Sequence, residues 1–221
     1  MSDPPRPTAA LWKRRLPNRL TIARLALAVV FFAVLSAAPA TPSRWWAPAV
    51  AAGVFAIAAL TDALDGYLAR RWDVASQFGR IMDPFADKVL VLGAFVMLAS
   101  PLFAPVLSRP EGGQMAAPLS GVEPWMVIVM LARELLITSL RGLIESRGGD
   151  FSASASGKIK MIAQSVAAPL ILVMVSLSLR PGGGSDLRLP CALVAWAATL
   201  ITAWSALPYI ARAMASLQES R

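Results

Sequence analysis

From Leu189 to Ala211 the chain runs without a single charged residue. A helix rises about 1.5 Å per residue, so roughly 20 apolar residues cross about 30 Å of hydrocarbon. Five more segments of this kind occur, at about 20–39, 45–64, 85–107, 124–145 and 158–179. Backbone polar groups cannot go unpaired in lipid, so only helices or a closed barrel can span it. These runs are continuous rather than alternating. They predict an all-α fold, an integral membrane bundle of six transmembrane helices.

Lys and Arg are unevenly shared between the connections. Fourteen fall on the side of the two termini and four (Arg44, Arg109, Arg180 and Arg188) on the other. Such an excess marks the cytoplasmic face, so both termini are expected there. Residues 1–19 read as an N-terminal tail with a basic segment around Lys13-Arg14-Arg15, able to form a short interfacial helix. Residues 20–213 read as the membrane domain and 214–221 as a C-terminal tail. With 57% hydrophobic residues, the net charge of +8 points to anionic headgroups or phosphorylated substrates rather than nucleic acid. One Cys and no His exclude a disulfide scaffold and a thiolate or imidazole metal centre. Any metal must rest on oxygen ligands.

Only 13 residues are acidic, and five of them lie between 62 and 87. Asp62 and Asp65 are three apart, about 60° round a helix, and Gly66 and Ala69 share the face of Asp62. Gly79, Asp83 and Asp87 form a second stripe at i, i+4 and i+8. If the chain finishes one helix, turns and returns, four carboxylates converge. Pro84 is compatible with this when the second helix starts near it with Asp83 as N-cap. Four neighbouring carboxylates need cations to remain ionised. Oxygen-only sites suit Mg²⁺ or Mn²⁺, and the small residues between them leave room for a ligand.

The pattern Asp62-x2-Asp65-Gly66-x2-Ala69-Arg70-x8-Gly79-x3-Asp83-x3-Asp87 resembles the signature of the CDP-alcohol phosphatidyltransferases at all eight fixed positions. That resemblance implies a six-helix membrane enzyme in which an alcohol attacks a CDP-linked lipid and CMP leaves, with two divalent metals on the pyrophosphate. It implies that Asp62, Asp65, Asp83 and Asp87 are metal ligands and that Asp87 is also the general base. It implies CDP contacts from Gly66, Ala69, Arg70, Ser76 and Gly79, and a homodimer in a bacterial-type inner (cell) membrane, with the site facing the cytoplasm.

Further motifs are similar to the phosphatidylglycerophosphate synthase branch of that family. They are Asn18-x2-Thr21-x2-Arg24, Asp83-Pro84-Phe85-Ala86-Asp87-Lys88, Ala132-Arg133-Glu134 with Leu140-Arg141, and Gly157-Lys158-x-Lys160-x3-Gln164. This similarity places Asn18 and Thr21 near the nucleotide. It implies CDP-diacylglycerol as donor and sn-glycerol 3-phosphate as acceptor, with Arg133, Arg141, Lys158 and Lys160 on the acceptor phosphate. Two plainer readings stay open at this point. In the first, Arg133 and Glu134 simply neutralise each other; in the second, Arg141, Lys158 and Lys160 are ordinary membrane anchors. Inositol phosphate, phosphatidylglycerol or serine are alternative acceptors. A divalent-cation transporter would need charges spread along several helices, and the outer halves of the third, fifth and sixth segments are apolar.

Overall fold

The computed structural model describes residues 11–37, 41–72, 77–103, 118–146, 155–182 and 185–219, apart from the side chains of 11–19, 63, 65–81 and 215–219. Among these residues the chain forms seven α-helices and no strand. They are α1 (Leu11–Ala37), α2 (Trp46–Trp72), α3 (Gln77–Leu98), α4 (Pro124–Ser146), α5 (Ala155–Ser178), α6 (Arg188–Trp204) and α7 (Leu207–Glu219). Short 3-10 turns at Pro42–Arg44 and Pro101–Phe103 complete the connections. The first five helices have 22–27 residues, enough for roughly 33–40 Å each.

The packing departs from the water-soluble pattern in how many large apolar side chains face outward. Ala51, Ala58, Ala94, Ala168 and Ala195 are fully buried, whereas Leu60, Ile128, Leu135 and Leu189 are 64–70% exposed. Small residues at helix contacts and large aliphatics outside suit a lipid solvent, where close backbone approach drives association. α1 packs on α2 and α3, α5 sits between α2 and α6, and α4 meets α6 and α7. Phe31 of α1 meets Phe55 of α2 edge-on, with centroids 5.9 Å apart. The architecture is that of a membrane protein.

Among the described residues, three stretches are long and apolar enough to cross a bilayer: Leu20–Ala37, Ala155–Ser178 and Arg188–Met214, with the shorter apolar stretch Trp46–Asp62 beside them. The other two expected spans, α3 and α4, have the length but carry charge. α3 holds Asp83, Asp87 and Lys88; α4 holds Arg133, Glu134, Arg141 and Glu145.

Four sequence expectations need correction. α1 is continuous from Leu11, so the basic segment is the first part of a long helix rather than a separate short one. α3 begins at Gln77 and carries Pro84 inside it. Asp83 is therefore not an N-cap: its carboxylate is engaged sideways by α1. The third apolar segment stops being helical at Leu98 instead of reaching 107. Ser100 precedes Pro101, a position that disfavours the α conformation, and Ser120 Oγ donates to the carbonyl of Leu98 at 2.6 Å.

The last apolar run is not one helix. It breaks at Ser205 and Ala206, because Pro208 has no N–H for the Trp204 carbonyl and its ring crowds that group. The chain tightens instead: Ala206 N donates to Ala203 O and Tyr209 N to Ala206 O, both at 3.1 Å. The Ser205 carbonyl, which Tyr209 N would have used, accepts from Ser156 Oγ at 3.4 Å.

Candidate active site

Thr21 and Arg24 lie one turn apart on α1 and share a face. Arg24 is 1% exposed. Its Nη1 lies 2.7 Å from Asp62 Oδ1 on α2 and 3.6 Å from Asp83 Oδ1 on α3. Thr21 Oγ1 donates to Asp83 Oδ1 at 2.7 Å. One buried guanidinium thus draws together two carboxylates from neighbouring helices and offsets their repulsion. Both carboxylates stay accessible, at 42% and 36% exposure. Asp87 follows one turn after Asp83. On α3 it lines the basic cavity described next.

The donor set consists of hard carboxylate oxygens, which fits Mg²⁺ or Mn²⁺. Among the described residues no three acidic side chains are close enough to hold an ion. The expected quartet includes Asp65, whose side chain lies outside the description. Ser76 lies outside it altogether, and of Asn18, Gly66, Ala69, Arg70 and Gly79 only the helical backbone is described.

Beside Asp87 opens a cavity of about 380 Å³ between α3, α4, α5 and α7, within the size range of small-molecule sites. All four residues expected at the acceptor phosphate line it: Arg133, Arg141, Lys158 and Lys160. Lys88 adds a fifth cation, and Asp87 and Glu134 are its acidic members. Arg141 and Lys158 are exposed, while Arg133 and Lys160 are buried.

Glu134 organises these cations. Its Oε2 lies 2.7 Å from Lys160 Nζ and 3.3 Å from Arg133 Nη1, and its Oε1 lies 3.6 Å from Lys88 Nζ. Lys88 Nζ also donates to Thr138 Oγ1 at 3.2 Å. Arg133 and Glu134 do neutralise each other, and they also wall a cavity; the two readings of that pair are compatible. Arg133 Nε donates to Ser205 Oγ at 3.0 Å, and its guanidinium carbon sits 5.5 Å from the centroid of the Tyr209 ring. Gly157 makes room for that ring: a Cβ there would lie 2.7 Å from the Tyr209 hydroxyl.

Sequence reasoning did not find the roles of Arg24, Glu134, Ser205 and Tyr209. Arg24 and Glu134 belong to local sequence motifs, but their partners Asp62 and Lys160 lie on other helices. Tyr209 sits beside Pro208 in an apolar run, and that dipeptide was the available signal: a helix breaker next to an aromatic with a polar tip.

The sequence model of the family described as CDP-alcohol phosphatidyltransferase matches residues 14–214. A protein of Escherichia coli (strain K12) named CDP-diacylglycerol–glycerol-3-phosphate 3-phosphatidyltransferase is 32% identical over 204 residues, 91% of this chain and 96% of the relative. A protein of the same name from Salmonella paratyphi A is 33% identical over the same shares. A Shigella sonnei relative with that name is 32% identical. With the family model spanning residues 14–214, nearly the whole chain, the chain belongs to the CDP-alcohol phosphatidyltransferase family.

Proposed function

We propose that this protein transfers the phosphatidyl group of CDP-diacylglycerol to sn-glycerol 3-phosphate, giving phosphatidylglycerophosphate and CMP. The observation that carries the reading is the cavity beside Asp87, walled by Lys88, Arg133, Arg141, Lys158 and Lys160. A dianionic acceptor must approach a donor that already carries a pyrophosphate. A surplus of cations lowers that repulsion. A neutral acceptor would leave the surplus of these cations over Asp87 and Glu134 without a counterpart. The names of the bacterial relatives point to the same donor and acceptor.

The acceptor hydroxyl attacks the phosphorus that bears the diacylglycerol. As the new P–O bond forms, Asp87 takes the hydroxyl proton. The bond to the CMP oxygen breaks, and its electron pair leaves with CMP. Arg133, Arg141, Lys158 and Lys160 hold the acceptor phosphate, the arginines through paired N–H donors. Glu134 keeps Lys160 and Arg133 in place between turnovers. Arg24 orients Asp62 and Asp83. Asn18, Thr21, Gly66, Ala69, Arg70, Ser76 and Gly79 are assigned to the CDP moiety. Asp62, Asp65, Asp83 and Asp87 would hold two Mg²⁺ or Mn²⁺ ions, which when bound neutralise the pyrophosphate and the charge growing on CMP.

Six helices are placed across a bacterial-type inner membrane, with both termini and the site on the cytoplasmic side. The support is the uneven sharing of Lys and Arg together with the position of the site, whose residues come from the helix portions next to the basic connections. Mass spectrometry tests the reaction: purified protein with both substrates and Mg²⁺ is expected to form phosphatidylglycerophosphate and CMP. Chelation by EDTA should stop it. Formation of a different phospholipid, or undiminished activity in EDTA, contradicts the assignment.

A further inference from the structure

Two side chains of the cavity wall each bury a polar atom that has no hydrogen-bond partner among the described residues: Nη2 of Arg133 and Oε1 of Gln164. One is a donor with positive charge, the other a neutral acceptor. Both residues line the cavity. Gln164 is fully buried and Arg133 is 7% exposed. A buried polar atom without a partner is costly to maintain, and two of complementary kind in one cavity describe a ligand with an anionic end and a hydroxyl.

The orientation of Gln164 is set by a hydrogen-bond chain. Thr202 Oγ1 donates its only proton to the Ala198 carbonyl at 2.7 Å. It can then only accept from Gln164, whose Nε2 lies 3.0 Å away. The amide must present its NH₂ to Thr202, which turns the carbonyl oxygen away from it. Arg133 is held from the same turn: its Nε donates to Ser205 Oγ, which donates to the Thr202 carbonyl at 2.7 Å. The last turn of α6 therefore mounts both atoms.

We propose that Gln164 determines acceptor specificity by accepting a hydrogen bond from the hydroxyl of the acceptor that does not react, while Arg133 Nη2 takes its phosphate. This rests on the acceptor reading above. sn-Glycerol 3-phosphate has two hydroxyls; the primary one is the nucleophile and the secondary one is left to be read. A site built to bond a hydroxyl strongly rejects the analogue that lacks it, because its own buried group is then stranded.

The test compares sn-glycerol 3-phosphate with 3-hydroxypropyl phosphate, which keeps the phosphate and the primary hydroxyl and lacks the secondary one. The wild-type protein is expected to favour sn-glycerol 3-phosphate by about 100-fold in kcat/KM, the cost of stranding one buried neutral acceptor. Gln164→Met should narrow that ratio to within about threefold, mainly by losing activity with sn-glycerol 3-phosphate, with the KM for CDP-diacylglycerol shifted less than about twofold. Thr202→Val, which removes the group that orients the amide, should lower the ratio, and Thr202→Ser should restore it. Wild-type protein that uses both acceptors equally well overturns the inference whether or not the variants fold. So does a Gln164→Met protein that keeps the full ratio. Wild-type protein that releases no CMP with sn-glycerol 3-phosphate overturns the acceptor reading itself, and this inference with it.

Discussion

Asp87 stands where an acidic pair meets a basic cavity, and its role separates cleanly from folding. Asp87→Asn keeps the volume and removes the basic oxygen. It should lower kcat by about 10²–10⁴-fold while thermal stability in detergent stays near that of the wild type; retained turnover would refute the assignment. Arg141 is exposed at the cavity rim. Arg141→Ala should raise the KM for sn-glycerol 3-phosphate about five- to tenfold and leave the KM for CDP-diacylglycerol nearly unchanged, which steady-state kinetics in mixed micelles reads directly. At this scale the sequence was informative about residues grouped by local spacing. Asp62 and Asp65 on α2, and Asp83 and Asp87 on α3, recur at helical intervals, and the basic residues at 133, 141, 158 and 160 line one cavity. Cross-helix partnerships were not readable. Arg24 reaches Asp83, and Arg133 reaches Ser205 across 72 positions; no periodicity within one helix encodes such a pair.

The helices themselves were legible because a span needs length and apolarity, and both are visible along the chain. Their interruptions were not. Pro208 lies in a run free of charged residues, so apolar length alone does not mark the break at Ser205, though that break sets the hydroxyl that holds Arg133. Glycines give a sharper test of packing between elements. Gly121 precedes α4 with φ +64°, and a Cβ there would lie 2.5 Å from the backbone of Ala192 in α6. Gly121→Ala is expected to destabilise by about 1–3 kcal/mol, seen as a fall in Tm by differential scanning fluorimetry. Gly53 lies within α2 with nothing near its missing Cβ. Gly53→Ala should leave Tm unchanged or raise it slightly, since alanine is the better helix former by about 1 kcal/mol. Equal losses in the two variants would contradict the close contact between the Gly121 loop and α6.

For the whole molecule, charge bias predicts an orientation, and the single cysteine makes it measurable. Cys191 is buried. Replacing it by Ala leaves a background for single cysteines at Ser146, at the end of α4, and Ser185, just before α6, both exposed. In intact cells an impermeant maleimide should label Ser185→Cys from outside, and Ser146→Cys only after permeabilisation. The opposite pattern would invert the bundle and place the site on the wrong face for a nucleotide-linked substrate. The central claim is narrower than topology: a pair of carboxylates joined by Arg24 and a cationic cavity beside Asp87 together select a phosphorylated alcohol. Its most direct test is CMP release by the purified protein from CDP-diacylglycerol and Mg²⁺ with sn-glycerol 3-phosphate, inositol phosphate, phosphatidylglycerol or serine as acceptor. Rapid release with sn-glycerol 3-phosphate and little with serine or phosphatidylglycerol is the predicted result; release with serine that matches or exceeds it contradicts the account.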